Sequence, residues 1–218
     1  HRHAVQVLRL KAGAIVRLFD GQGLEYEASL HTVSKRESSA ILSASVMNKV
    51  ESPLSMTLIQ GISRGERMDY TIQKAVELGV SRIVPVITAR CNVQLSGQRA
   101  DKKIAHWKGI IVSACEQSGR QYLPLLAEIM TFDDMLVAFN SGSRLILEPT
   151  ATQGFKSLQV QTEASLLIGP EGGFTATEVM AAASAGFEAI QFGPRILRTE
   201  TAAVSALAVM QTLWGDLG

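Results

Sequence analysis

The chain has 218 residues, of which 46% are hydrophobic and 19% charged, a balance typical of a folded globular protein and not of a disordered one. Its apolar runs fall short of the roughly 18 residues that a spanning helix needs, so we predict no membrane partner and expect a cytoplasmic location. Cys91 and Cys115 have no paired spacing and no nearby histidine cluster, which predicts free thiols and no metal site.

The net charge of +1 conceals an uneven distribution along the chain. Residues 1–60 have seven basic and five acidic side chains, residues 61–120 have ten and five, and residues 121–218 have four and ten. The resulting charges of +2, +5 and −6 favour an anionic partner for the first two segments and a different ligand for the last. Charges scattered over solvated surfaces are the alternative interpretation.

The first 50 residues predict a small β-barrel domain. Residues 1–10 have the spacing of a helix end, and Asp20-Gly21 indicates a turn between two strands. The strands are predicted at 14–19, 24–33 and 40–46. The polar stretch 48–53 ends in proline and indicates a linker. The predicted domains are therefore residues 1–50 and 51–218.

Strands alternate with helices in the second domain, which predicts an α/β fold with a mostly parallel sheet covered on both faces. The predicted strands are 54–60, 81–87, 144–147, 166–168 and 189–192. The predicted helices are 67–78, 102–117, 131–139, 175–185 and 201–214. Thr131 with Asp134, and Thr175 with Glu178, have capping-box spacing. The last helix is apolar nearly all round, so we expect it to be buried on every side, in the core or against another subunit.

Two loops near the end of the chain predict one ligand pocket. Each follows a short apolar strand and precedes a helix, the position at which open α/β sheets bind ligands. The glycines of the first loop lack the G-x-G-x-x-G spacing and no G-K-[ST] follows them, which disfavours a phosphate site. Gly172 and Gly173 allow the backbone to approach a ligand closely. A nucleotide-dependent oxidoreductase remains an alternative.

The residues of these loops resemble the cofactor-binding signature of the SPOUT methyltransferases. The first reads Ile168-Gly169-Pro170-Glu171-Gly172-Gly173-Phe174, and the second reads Phe192-Gly193-Pro194-Arg195-Ile196-Leu197-Arg198-Thr199-Glu200-Thr201-Ala202. More narrowly, the chain is similar to the ribosomal RNA small-subunit methyltransferase E family. The similarity extends to residues 3–13, 18–21, 73–80, 116–120 and 147–149, and thus to nearly the whole chain. That family begins with a further short stretch, so we expect the first domain to be incomplete.

The resemblance implies a fold and an activity. The implied fold is a small PUA-like β-barrel followed by a SPOUT-type trefoil-knotted α/β domain. The implied activity is that of an enzyme, a methyltransferase that uses S-adenosylmethionine to methylate a uridine of 16S ribosomal RNA at ring nitrogen 3, in the small ribosomal subunit. The family works as a homodimer. A non-catalytic RNA-binding module of the same fold is the alternative.

The resemblance also implies which residues bind the cofactor. They lie in the two loops and at the end of the strand 144–147. The predicted cofactor-binding residues are Leu147, Glu148, Ile168, Gly169, Pro170, Glu171, Gly172, Gly173, Phe192, Gly193, Ile196, Leu197, Arg198, Thr199, Thr201 and Ala202.

Catalysis at ring nitrogen 3 requires removal of a proton and stabilisation of charge on the flanking carbonyl oxygens. Arg198 is the predicted catalytic donor to the base, with a structural salt bridge to Glu200 as the alternative. The proton acceptor stays open among Glu116, Glu148, Glu171 and water; Glu116 is the second predicted catalytic residue.

Basic and polar side chains in both domains are the predicted RNA contacts. They are Arg9, Lys11, Arg64, Arg67, Lys74, Arg90, Gln117 and Arg120, with Lys35 and Arg36 as further candidates. Because only 6% of residues are aromatic, recognition of RNA shape and backbone is favoured over broad base stacking.

Overall fold

The computed structural model describes residues 2–46, 50–92 and 95–218, and the chain forms two compact units. The first unit comprises His1–Glu51 and Gly119–Leu123, and the second comprises Ser52–Ser118 and Pro124–Gly218. The start of the predicted first helix and residues 48–49 of the predicted linker lie outside the described residues. The domain boundary at residue 50 stays a prediction. Among the described residues, no helix is long and apolar enough to cross a membrane.

The first unit contains an antiparallel sheet in the order β1-β2-β3. The strands are β1 (Ile15–Phe19), β2 (Glu25–Val33) and β3 (Ser38–Val46), preceded by a short helical segment, Arg2–Val7. The three predicted strands are confirmed. Oδ1 of Asp20 accepts hydrogen bonds from the backbone N–H groups of Gln22 (2.7 Å) and Leu24 (3.1 Å), which form the predicted turn and lower the pKa of Asp20.

The segment 119–123 belongs to the first unit, although the sequence placed it in the second domain. The backbone N–H of Gly23 donates to the carbonyl of Gln121, and that of Leu123 donates to the carbonyl of Gly21. These long-range backbone hydrogen bonds leave no local pattern in the sequence. They explain why strand and helix periodicity did not predict this arrangement.

The second unit is built on a parallel sheet of seven strands in the order β10-β8-β9-β4-β5-β6, with β7 also paired to β5. The strands are β4 (Ser55–Gly61), β5 (Arg82–Ile87), β6 (Leu125–Leu126), β7 (Met130–Thr131), β8 (Ser143–Leu147), β9 (Glu163–Ile168) and β10 (Glu188–Ile190). The predicted parallel α/β sheet is confirmed. Two strands, β6 and β7, were not predicted because each has only two residues.

Five helices flank the sheet. They are α1 (Glu66–Glu77), α2 (Gln98–Ser118), α3 (Phe132–Ala138), α4 (Ala176–Ser184) and α5 (Thr199–Trp214). Thr131 caps α3 by accepting from the N–H of Asp134, and Thr175 forms a complete capping box with Glu178 at α4. Helix α5 buries one face, whereas Val204 and Ala208 stay partly exposed, so burial on every side is not seen within one chain.

The chain doubles back after β10, the edge strand. Thr199, the first residue of α5, donates a hydrogen bond to the carbonyl of Gly169 at the end of β9 (2.6 Å). The segment between β8 and β9 lies against the returning chain, with the Phe155 and Phe192 rings 5.6 Å apart and the N–H of Gln191 bonded to the carbonyl of Gln153. This course agrees with the knotted fold that the resemblance implied, which ordinary connection rules do not predict.

Candidate active site

A cavity of about 630 Å³ opens at the carboxyl ends of three neighbouring strands in the second unit. The last residues of β8, β9 and β10, which are Leu147, Ile168 and Ile190, all line it. The glycine loop, residues 169–174, forms one wall, and the arginine loop, residues 192–198, forms another. The two sequence signatures are therefore brought together around one space, as predicted.

The glycine loop is held by close backbone contacts. The N–H of Gly173 donates to the carbonyl of Pro170, and Gly173 has a φ of +65°, a conformation that favours glycine. A Cβ atom on Gly172 would lie 2.9 Å from Cβ of Arg90, whose Nη1 donates to the carbonyl of Gly172 at 3.0 Å. A larger residue at position 172 would therefore displace Arg90 or the loop.

Glu171 fastens the glycine loop to the segment after β4. Its Oε1 accepts from the backbone N–H of Arg64 (2.9 Å) and from Nη1 of Arg67 (3.0 Å). Partial burial raises the pKa of Glu171, but the N–H of Arg64 and the guanidinium of Arg67 outweigh this effect and hold the pKa below its ordinary value. The Glu171 carboxylate is therefore ionised at neutral pH.

Arg67 lies between two carboxylates at the edge of the cavity. Its Nε is 3.9 Å from Oε1 of Glu200, which is a looser ion pair than the one with Glu171. The second oxygens of Glu171 and Glu200 are buried and have no hydrogen-bond partner among the described residues. Two carboxylates around one guanidinium leave this edge of the cavity with negative charge, which favours a cationic ligand group.

Glu178 links the start of α4 to the segment after β5. One of its oxygens accepts from the backbone N–H and the hydroxyl of Thr175, and the other accepts from the N–H of Ala89 at 2.7 Å. Glu178 is 8% exposed. Because Arg90 follows Ala89 and contacts Gly172, this buried carboxylate helps to hold Arg90 against the glycine loop.

The arginine loop is open by comparison. Gly193 has a φ of +72°, residues 193–196 are exposed, and Ile196 is 86% exposed. In the described parts of the chain, the side chains of Arg195 and Arg198 make no hydrogen bond or ion pair. The salt bridge between Arg198 and Glu200, the structural alternative for Arg198, is absent there, since Glu200 faces Arg67 instead. Both arginines line the cavity.

All the predicted cofactor-binding residues except Thr201 line the cavity; Thr201 is exposed on α5. The prediction omitted seven lining residues. They are Arg67, Arg90, Pro149, Phe174, Ile190, Arg195 and Glu200. Four of these belong to the two signatures or follow a predicted residue directly, and Ile190 lies two residues before Phe192. Extending the predicted segments by a few residues would therefore have found all five. Arg67 and Arg90, predicted as RNA contacts, come after β4, which pairs with β9, and after β5, which is the next strand in the sheet; this strand order was not predicted.

The two predicted catalytic residues lie in different places. Arg198 lines the cavity, whereas Glu116 is exposed on α2 and is not among the lining residues. Of the other carboxylate candidates, Glu148 lines the cavity beside Glu171, and its Oε1 accepts from the hydroxyl of Thr150 at 3.0 Å. The catalytic role of each stays a prediction.

The predicted RNA contacts differ in their availability. Arg9, Lys11, Arg64, Arg90 and Gln117 are exposed, and Lys74 pairs with Glu77 at 2.7 Å. Arg120, by contrast, is 5% exposed and makes two hydrogen bonds to Glu51 within the first unit. Because this guanidinium is buried and paired, we do not retain Arg120 as an RNA contact.

The described residues contain no group of three or more His, Cys, Asp or Glu side chains that could hold a metal ion. The polar groups that line the cavity are backbone amides, carboxylates and guanidinium groups. That set suits the binding of a charged organic cofactor and a polar base.

Comparisons with known proteins agree with this geometry. A family model described as an RNA methyltransferase domain matches residues 50–211, and one described as an RNA methyltransferase PUA domain matches residues 2–43. The ribosomal RNA small subunit methyltransferase E of Buchnera aphidicola from Schizaphis graminum is 34% identical, over 97% of this chain and 87% of its own length. The enzyme of the same name from Bacillus subtilis is 30% identical, over 95% of this chain and 85% of its own length.

Two solved structures are also similar. A putative methyltransferase from Legionella pneumophila, in complex with the bound cofactor SAM, is 39% identical with a TM-score of 0.96, covering 99% of this chain and 90% of that one. A ribosomal RNA small subunit methyltransferase E from Neisseria gonorrhoeae bound to S-adenosyl methionine is 42% identical with a TM-score of 0.93, covering 100% and 90%.

The fold and the site thus define an RNA methyltransferase with a PUA domain at its start, and the predicted SPOUT fold class and enzyme class are confirmed. The chain belongs to the ribosomal RNA small subunit methyltransferase E family.

Proposed function

We propose that the protein binds S-adenosylmethionine in the cavity and transfers its methyl group to ring nitrogen 3 of a uridine in 16S ribosomal RNA, within the small ribosomal subunit. The observation that carries this proposal is the meeting of the glycine loop and the arginine loop around one cavity. Similar proteins with bound cofactor support it. A ribosomal substrate fits a cytoplasmic location.

The cavity suits the cofactor because its walls offer different groups. Gly169 and Gly172 line the cavity without side chains, and a Cβ at either position would crowd Gly173 or Arg90. The carboxylates of Glu171 and Glu200 supply negative charge for the cofactor's cationic groups. Leu147, Ile168 and Ile190 supply an apolar floor for the adenine.

The reaction is a direct displacement. The ring nitrogen attacks the methyl carbon, the carbon–sulfur bond breaks, and the electron pair of that bond stays on sulfur to give S-adenosylhomocysteine. The proton on the nitrogen goes to a base, and Arg198 donates to a carbonyl oxygen of uracil as negative charge develops there. The unpaired state and exposure of Arg198 support this role.

Of the two candidate proton acceptors that line the cavity, Glu148 and Glu171, Glu148 is the better placed. Glu171 is bound by Arg64 and Arg67, and its lowered pKa makes it a weaker base. Glu148 is partly buried and its only side-chain partners among the described residues are the N–H and hydroxyl of Thr150. Glu116 stays a predicted catalytic residue outside the cavity of its own chain.

We also propose a homodimer. Helix α5 buries Ala203, Ala206 and Met210 within the chain, whereas Val204 and Ala208 on its outer side stay partly exposed and Leu213 is 42% exposed. Partly exposed apolar residues on a helix rich in alanine favour a close contact with a second copy. Light scattering after gel filtration should give twice the mass of one chain.

Methyl transfer tests the proposal. Small ribosomal subunits that lack the modification are incubated with the protein and S-adenosylmethionine labelled in the methyl group, and the RNA is digested to nucleosides. Label should appear in one N3-methyluridine. Without transfer, intact salt-sensitive RNA binding and no cofactor binding would instead favour the non-catalytic RNA-binding module.

A further inference from the structure

Gln60 is a buried amide beneath the cavity, and it is not among the lining residues. It lies in β4 and is 0% exposed. Its Nε2 is 3.0 Å from the carbonyl oxygen of Gly61, 3.3 Å from that of Gly169 and 3.0 Å from Oγ1 of Thr199. One side chain therefore joins the end of β4, the end of β9 and the start of α5.

The number of available protons fixes the direction of these hydrogen bonds. The Thr199 hydroxyl has one proton and donates it to the carbonyl of Gly169 at 2.6 Å, because a carbonyl can only accept. The Thr199 oxygen must then accept from Gln60. The second amide proton of Gln60 is shared between the carbonyls of Gly61 (3.0 Å) and Gly169 (3.3 Å). A primary amide satisfies these acceptors, whereas a carboxylate or an apolar side chain cannot.

Gly169 and Thr199, which Gln60 joins, belong to different walls of the cavity. Gly169 begins the glycine loop, and Thr199 follows the arginine loop; both line the cavity. The backbones are also in contact here, since a Cβ on Gly61 would lie 2.6 Å from the nitrogen and Cδ of Pro170. A change in the Gln60 hydrogen bonds would therefore alter the separation of the two walls.

We infer that Gln60 is a positioning residue, which sets the distance between the glycine loop and the arginine loop without touching the cofactor. The inference rests on the proposed function, because it takes the cavity to bind S-adenosylmethionine. Oε1 of Gln60 is buried and has no hydrogen-bond partner among the described residues. A buried oxygen without a hydrogen-bond partner lowers the stability of the fold. Stability alone therefore does not account for an amide at position 60.

Gln211 provides a matched control at the other end of α5. It is 1% exposed, its Nε2 donates to the carbonyl of Leu78 at 2.7 Å, and its Oε1 accepts from the hydroxyl of Ser52 at 2.7 Å. It therefore also joins α5 to the rest of the unit through a buried amide. Gln211 does not line the cavity and contacts neither loop.

The test compares Gln60→Met with Gln211→Met, which each remove one buried amide at similar side-chain length. Thermal melting and S-adenosylmethionine binding by calorimetry are measured for both, with binding at a temperature well below either melting point. Both variants should melt at lower temperature. Gln60→Met should weaken cofactor binding by about tenfold or more, and Gln211→Met by less than about twofold.

Three results are then distinguishable. Unchanged cofactor affinity in Gln60→Met overturns the positioning role, as do equal losses of affinity in the two variants. A wild-type protein that binds no S-adenosylmethionine overturns the proposed function itself.

Gln60→Glu gives a second readout if Gln60→Met does not fold. Burial raises the pKa of a glutamic acid, so the side chain can regain a proton, and one donor, as the pH falls from about 8 to about 6. Its affinity for the cofactor, relative to wild type, should improve over that range. If the ratio of the Gln60→Glu affinity to the wild-type affinity stays constant with pH, the donor role of position 60 is contradicted.

Discussion

The glycine loop and the arginine loop form walls of the same cavity, but they differ in how firmly they are held. The glycine loop is fastened by Arg64, Arg67 and Arg90 through Glu171 and the carbonyl of Gly172. The arginine loop is exposed over residues 193–196, and Arg195 and Arg198 have no side-chain hydrogen bond in the described parts of the chain. One wall is held by hydrogen bonds to three arginines, and the other presents unpaired cations.

This difference indicates a division of roles. A wall with fixed backbone geometry suits the cofactor, which every turnover uses in the same form. Unpaired guanidinium groups suit the RNA, because a side chain already bound to a carboxylate would have to break that ion pair first. Substitutions in the two loops should therefore have separable effects on cofactor binding and methyl transfer.

The largest effect is expected for Arg198→Ala. Loss of the donor to the uracil carbonyl should lower the transfer rate by about 10²- to 10³-fold, because charge develops there in the transition state. S-adenosylmethionine affinity, measured by calorimetry, should change by less than about threefold. Near-normal single-turnover transfer in this variant would show that the arginine loop does not act on the base.

Gly172→Val tests the hydrogen-bonded wall, the glycine loop. Its new Cβ would lie 2.9 Å from Cβ of Arg90, so the loop must shift, and cofactor affinity should fall by about 10- to 100-fold. Gly109→Ala is the control, since a Cβ there meets nothing within 4 Å and lies in helix α2. Wild-type affinity in Gly172→Val would remove this loop from the cofactor site.

Glu178→Gln tests the support behind Arg90. The amide of glutamine can no longer accept hydrogen bonds from both Thr175 and Ala89. The free energy of unfolding, measured by chemical denaturation, should therefore fall by about 2 kcal/mol, and cofactor binding should weaken. Thr175→Ala removes the helix cap but leaves the contact to Ala89, and should cost about 1 kcal/mol with little change in affinity. If the two variants lose affinity equally, Glu178 acts only as a cap.

The smallest effect concerns pH. The folded pKa of Glu171 lies below its ordinary value of 4.5, so its stabilising contribution is present above that pH and is lost as the pH falls through the folded pKa. Wild type should lose stability as the pH falls below about 4.5. Glu171→Gln should lose less over the same range, and the difference should be under about 1 kcal/mol. Identical acid melting curves would show that the ion pair with Arg67 contributes nothing.

Much of the second unit could be predicted from local pattern. Apolar runs gave the longer strands, and Thr175 with Glu178 gave the start of α4. The strand order could not be predicted this way, because β4 pairs with β9 across a hundred residues. For the same reason, the sequence did not place Arg67 and Arg90 at the cavity.

The site was predicted from the resemblance and only in part from physical pattern. The glycines at 169, 172 and 173 indicated close approach of the backbone, but their spacing did not identify a cofactor. The hydrogen bond from Gln60 to Thr199 joins residues 139 positions apart and leaves no local pattern in the sequence. Long-range hydrogen bonds of this kind become visible only in the folded chain.

A crystal structure of the protein with S-adenosylmethionine tests the central claim most directly. The claim is that the hydrogen-bonded glycine loop and the open arginine loop enclose the cofactor. We expect the cofactor between residues 169–174 and 192–198, with hydrogen bonds to the backbone of the glycine loop and that loop unmoved. The guanidinium of Arg198 should remain unpaired. A cofactor bound outside this cavity, or a glycine loop that must rearrange to admit it, would contradict the claim.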